Sequence, residues 1–119
     1  MSIVAPGAES LDDAQSGYLR NDKTVRSPWS ELNAVYPIEG GTLIRSESFK
    51  DYNTIKIKPG IYRVQLKVRG GGGSAAFPVT TVNVLAGKTY LFSSVLIMDR
   101  QAVKAVYKEI DTSDYRGGQ

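Results

Sequence analysis

From Ile61 to Arg69 the chain reads "IYRVQLKVR", in which Tyr62, Val64, Leu66 and Val68 alternate with Arg63, Gln65, Lys67 and Arg69. A two-residue period sends successive side chains to opposite faces of an extended strand, so one face here is oily and the other carries charge. Such a strand is half-buried in an antiparallel sheet, and something must cover its apolar side. The chain is long enough to supply that cover. Its 119 residues make one ordinary domain, and 41% hydrophobic with 23% charged residues is the composition of a globular protein. No apolar run approaches the ~18 residues that a bilayer-spanning helix needs.

From Tyr36 onward, short runs rich in Val, Ile, Thr and Tyr are broken by "EGG", "KPG", "RGGGGS", "LAGK" and "MDR". That is the punctuation of strands and turns. Strands are predicted over residues 42–46, 53–58, 61–69, 77–85, 89–98 and 102–110. In the last, Val103, Val106, Tyr107 and Ile110 stand at helical spacing behind Asp99, while Val103, Ala105 and Tyr107 alternate as in a strand. The tight turn that "MDRQ" offers after "SSVLI" favours the strand. The sum is an all-β, antiparallel β-sandwich of about six to seven strands.

Two glycine turns set the connections. Pro59 supplies a fixed φ and Gly60 a positive one, the residue types of a type II turn. Because that turn matches hairpin twist poorly, an arch between two sheets is the alternative to a hairpin there. At "LAGK", Leu85 to Lys88, strand-like segments flank Gly87 on both sides, and a hairpin is expected. "RGGGGS" reads as an exposed loop between Arg69 and Phe77.

Residues 1–29 are rich in Asp, Ser, Asn and Gly with scattered apolar positions, and read as a flexible or loosely docked N-terminal arm. "SLDD" after Ser10 resembles a capping box with Asp13 in the third position, and Pro28 after Ser27 suits the first turn of a helix. Residues 30–111 then form the sandwich, and 112–119 a frayed tail.

With no histidine and no cysteine, thiol catalysis, disulfides and the usual structural zinc sites are excluded. A serine nucleophile would lack its customary base. "AGKT" at Ala86–Thr89 echoes the end of a phosphate-binding loop, but Val82 stands where the first glycine belongs and Thr89 opens a strand. Asp51, Glu47 and Asp99 are the carboxylates nominated for glycoside hydrolysis, with no spacing that selects a pair. No cofactor and no metal site are expected.

The informative constellation is cationic. If the strands over 53–58 and 61–69 are neighbours, Lys56, Lys58, Arg63, Lys67 and Arg69 project from one outer face, a candidate binding stripe for an anionic partner. Exposed strands also carry lysine and arginine to stay soluble and block edge pairing, which is the plainer reading. The overall charge of +3 falls short of the dense positive character of nucleic-acid binders. Tyr90, Phe92, Tyr107 and Trp29 are expected in the core or docking the arm.

The succession "TIKIKPGIYRVQL" and "TTVNVLAGKTYLF", spanning Ile55 to Phe92, resembles small bacterial cell-envelope lipoproteins and related PEGA-like or transthyretin-like β-sandwich modules. The resemblance implies an Ig-like or transthyretin-like sandwich facing the periplasm or anchored to the outer membrane, acting in binding or scaffolding on an envelope protein or glycan, with no catalytic residues to carry over. It also implies a tether through a lipidated N-terminal cysteine, in place of which this chain shows Met1. A non-catalytic envelope module is therefore the leading expectation. A soluble binder of an anionic ligand or nucleic acid is the first alternative, and a small carboxylate-dependent hydrolase the second.

Overall fold

A computed structural model describes residues 2–25, 28–45, 52–69, 74–97 and 102–116. Among these the chain is almost entirely β, with ten strands in two sheets that do not close into a barrel. The strands are β1 (Ser2–Val4), β2 (Gly17–Asn21), β3 (Ser30–Pro37), β4 (Ile44–Arg45), β5 (Thr54–Ile57), β6 (Gly60–Arg69), β7 (Ala75–Ala76), β8 (Val79–Val84), β9 (Lys88–Ile97) and β10 (Ala102–Asp111). The first sheet runs β1-β5-β2-β9-β10; the second runs β4-β3-β6, with β7 and β8 in succession along the far side of β6.

The alternation in β6 does what its period requires. Tyr62, Val64, Leu66 and Val68 are buried against Leu32, Val35, Ile44, Val82 and Val84 of the same sheet and against Leu19, Ile55, Ile57, Tyr90, Phe92 and Ala105 of the other. Each fully buried aliphatic side chain of this core contributes about 1.5–3 kcal/mol. The segment from Ala102 is a strand paired along its whole length with β9, not a helix.

Both glycine turns cross between the sheets. Pro59-Gly60 joins β5 of the first sheet to β6 of the second, the arch that turn geometry allowed. Gly60 is nearly extended, at φ +158°, rather than in the ~+80° of a type II turn, and the Tyr62 ring lies over it. "LAGK" is also an arch and not the expected hairpin, because β8 pairs with β6 while β9 pairs with β2 and β10. Gly87, at φ +76°, adopts a conformation that suits glycine. The arch is tied down by neighbours: the Gly87 amide donates to Ser16 O at 2.9 Å, and the Thr112 amide donates to Gly87 O at 2.9 Å. Inside it the buried Tyr90 hydroxyl accepts from the Leu85 amide at 2.9 Å, with Asn83 O at 3.1 Å and Glu109 Oε1 at 2.9 Å as acceptors.

The N-terminal segment is no arm. β2 lies in the middle of the first sheet, antiparallel to β5 and parallel to β9, with Leu19 fully buried, and β1 runs parallel to β5. The first sheet is accordingly mixed, not antiparallel throughout. Gly17 is demanded by packing: a Cβ there would lie 2.2 Å from Val84 Cγ1. Instead of a helix after Ser10, a single turn forms in which Gln15 N donates to Asp12 Oδ1 at 3.0 Å and Ser16 N to Asp12 O at 3.1 Å. The expected turn after Ser27 falls at the edge of the described residues, and Gly70 to Gly73 lie outside them.

The tail is docked as far as it is described. Thr112–Asp114 form a 3-10 turn, Thr112 Oγ1 meets Thr89 Oγ1 at 2.9 Å, and the Arg20 guanidinium lies 4.1 Å from the centre of the Tyr115 ring. Cation–π contact with that ring and with Tyr18 fixes Arg20 over the first sheet.

Candidate binding surfaces

The five cations of the expected stripe do not share a face. Because β5 and β6 belong to opposite sheets, Lys56 and Lys58 separate from Arg63, Lys67 and Arg69. Lys56 Nζ donates to the Leu11 carbonyl and so holds the loop between β1 and β2. The Lys58 stem passes over Gly7, where a Cβ would sit 3.3 Å from Lys58 Cδ.

What remains on the outer face of the second sheet is joined by a residue that alternation alone does not single out. Register places Arg63 opposite Tyr36 on one side and Thr81 on the other, Lys67 opposite Glu31, and Arg45 opposite Ala34. Arg45 Nη2 reaches the Tyr36 hydroxyl at 3.5 Å, and the Asn33 amide donates to Gln65 Oε1 at 2.7 Å. Among the described residues whose register sets them on this face, Arg45, Arg63, Lys67 and Arg69 stand against the single carboxylate of Glu31. It is a cationic surface with amides and a tyrosine between the charges.

A second feature sits where the two sheets open at the end of β2 and the start of β3. A cavity of ≈ 320 Å³ is lined by Asn21, Asp22, Lys23, Trp29, Ser30, Glu31, Tyr52 and Asn53. Asn21 builds its back wall by bridging the sheets: its Nδ2 donates to Tyr52 O at 2.9 Å and its Oδ1 accepts the Leu32 amide at 2.9 Å. Asp22 and Ser30 are buried polar groups at 7% and 8% exposure. Burial alone would raise the Asp22 carboxyl, but the Thr24 hydroxyl and amide and the Lys108 ammonium together hold it below the usual carboxylate value. Trp29 is 44% exposed, and its Nε1 donates to Glu31 Oε1 at 2.7 Å.

The aromatics divide accordingly. Tyr90 and Phe92 are core; Tyr107 is half-exposed against both, with ring centroids 5.8 Å and 5.4 Å away. Trp29 is neither core nor the anchor of an arm. The cavity was hidden in the sequence because its residues come from three separate segments; the one signal was a lone tryptophan, Trp29.

Of the catalytic nominees, Glu47, Asp51 and Asp99 lie outside the described residues. "AGKT" forms the arch and the first turn-to-strand step of β9, without a helix to receive a phosphate. Among the described residues no group of three acidic, histidine or cysteine side chains could hold a metal ion, and no helix is long and apolar enough to cross a membrane.

No protein-family model, curated protein or solved structure matches the chain.

Proposed function

We propose that the chain is a non-catalytic binding module of the bacterial cell envelope, of the Ig-like or transthyretin-like sandwich type, and that it docks on an anionic glycan through the outer face of the second sheet. The observation that carries the binding reading is the set Arg45, Arg63 and Lys67, spread over β4 and β6 around Tyr36 on the outer face of the second sheet. A spread array of cations suits an extended polyanion, whose many charges engage it without a deep pocket. The envelope setting rests on the resemblance of Ile55–Phe92.

Binding to an acidic polysaccharide, measured over a series of salt concentrations, tests this reading. Replacing Arg45, Arg63 and Lys67 together by glutamate should weaken binding by at least about tenfold and flatten its dependence on salt, since each lost contact returns fewer counterions. Unchanged affinity would remove the face from the function. Tighter binding to duplex DNA than to the polysaccharide would move the assignment to a nucleic-acid partner.

A further inference from the structure

We infer that the cavity between β2, β3 and residues 52–53 is a saccharide pocket that seats a single sugar ring against Trp29. The argument runs from the unequal character of its walls. The lining of the cavity includes two buried polar residues, Asp22 and Ser30. One side is the exposed indole of Trp29, whose orientation is set by the hydrogen bond from its Nε1 to Glu31. The rim carries Asn53, whose side-chain oxygen accepts from the Ser2 hydroxyl at 3.2 Å. The same side chain carries an amide nitrogen, a donor group with two protons.

A ligand that satisfies all three must be polar around its edge and apolar on its flat side. A pyranose is that: its equatorial hydroxyls lie near the ring plane and its axial C–H groups make a weakly positive apolar face, complementary to the negative face of an indole. At ≈ 320 Å³ the cavity stands at the small end of the ~300–1,000 Å³ range of ligand pockets, with room for one ring and its hydroxyls. The wall is already in place, because Asn21 locks the two sheets together behind it and Asp22 is held by Thr24 at 3.0 Å through the backbone amide. Little would need ordering on binding, which limits the entropic cost.

This inference does not depend on the cationic face, and the experiment separates them by working at about 0.5 M salt, where exposed charges are screened within a few ångström. Trp29 is the only tryptophan, so fluorescence excited selectively at tryptophan reports on this wall alone. Full-length protein is titrated with a hexose, an N-acetylhexosamine and a pentose to about 50 mM, a range that covers the weak affinities of single-ring ligands. Glycerol and choline serve as controls for hydroxyls without a ring and for an ammonium group. A saturable shift with at least one sugar and with neither control is expected, and ligand-observed NMR should show the same sugar losing about tenfold in affinity on Trp29→Ala and severalfold on Asn53→Ala. Absence of saturation with every sugar by both fluorescence and NMR overturns the inference. So does an equal response to glycerol, a preference for choline, or sugar binding that survives Trp29→Ala in a variant whose circular dichroism is native.

Discussion

Replacing Gly17 by alanine adds one carbon at a place where it cannot fit. The new Cβ would stand 2.2 Å from Val84 Cγ1, whereas carbons rest at about 3.5–4.0 Å, so something must move by roughly 1.5 Å. Neither side yields easily: β2 is paired with β5 and with β9, and Val84 is buried and paired opposite Gly60. Overpacking of this kind costs about 1–3 kcal/mol, and the upper end is expected here. Val84→Ala, by contrast, removes two methyl groups and leaves a cavity, for about 2–3 kcal/mol. In that background the clash is gone, since the next nearest atoms to the added Cβ are Leu85 O at 3.4 Å and Lys88 O at 3.6 Å. The second change should then cost less than about 0.5 kcal/mol, so the double variant matches Val84→Ala alone and the coupling is about 2–3 kcal/mol. Urea unfolding followed by circular dichroism measures all four corners of the cycle. For a chain of 119 residues, 3 kcal/mol corresponds to a fall in Tm of about 12 °C. If Gly17→Ala lies within 0.5 kcal/mol of the parent, roughly the error of such a cycle, or if the two costs simply add, then β2 does not pack beneath the Leu85–Lys88 arch and the first sheet is wrongly assembled.

Two further outcomes follow from titrating groups. The Asp22 carboxyl is depressed in the folded chain, net of the burial that opposes ionisation, by Thr24 and Lys108; its contribution is present above the unfolded value near pH ~4 and is lost as pH falls through the folded one. Urea midpoints should therefore drop on acidification below about pH 4, less steeply in Asp22→Asn, and equal acid slopes in the two proteins would contradict the assignment. Tyr90 is pushed up to about 12, first by burial and then by the Glu109 carboxylate, which outweigh the opposing Leu85 amide. Its raised value gives stability that is complete below the unfolded pKa near ~10 and disappears as pH rises through the folded one. Tyrosinate absorbance should show a late step that Tyr90→Phe removes; a parent protein whose tyrosines all titrate near 10 would refute it.

Strands β5, β6, β8, β9 and β10 were legible from their runs of Val, Ile, Thr and Tyr and from the glycine and proline that interrupt them, whereas β7, Ala75–Ala76, falls within the segment read as an exposed loop between Arg69 and Phe77. Which sheet each joins was not legible. Turn chemistry admits a hairpin or an arch at the same residues, and only the pairing of β8 with β6 and of β9 with β2 separates the two. β3 escaped notice for a different reason: a register shift between Leu32 and Ala34 moves the buried set from Leu32 to Val35, three residues on, which breaks the period of two. β2 shows only Leu19 as a large core residue, since its other inward positions are Gly17, chosen for want of a side chain, and Asn21, chosen for its amide. The cationic stripe failed as a single face through the same arch, because Lys56 and Lys58 belong to β5 and its end while Arg63 and Lys67 belong to β6. Arg45 was unreadable as their companion until β4 was seen beside β3.

The place of β2 also governs the order in which this molecule can assemble. Its slot lies between a partner at Thr54–Ile57 and another at Lys88–Ile97, so its seat is complete only once β9 has emerged. Closing those long loops before any pairing rewards them slows folding. A nascent chain stalled before Lys88 would hold Leu19 exposed with half its seat missing, and would be a natural client for a chaperone.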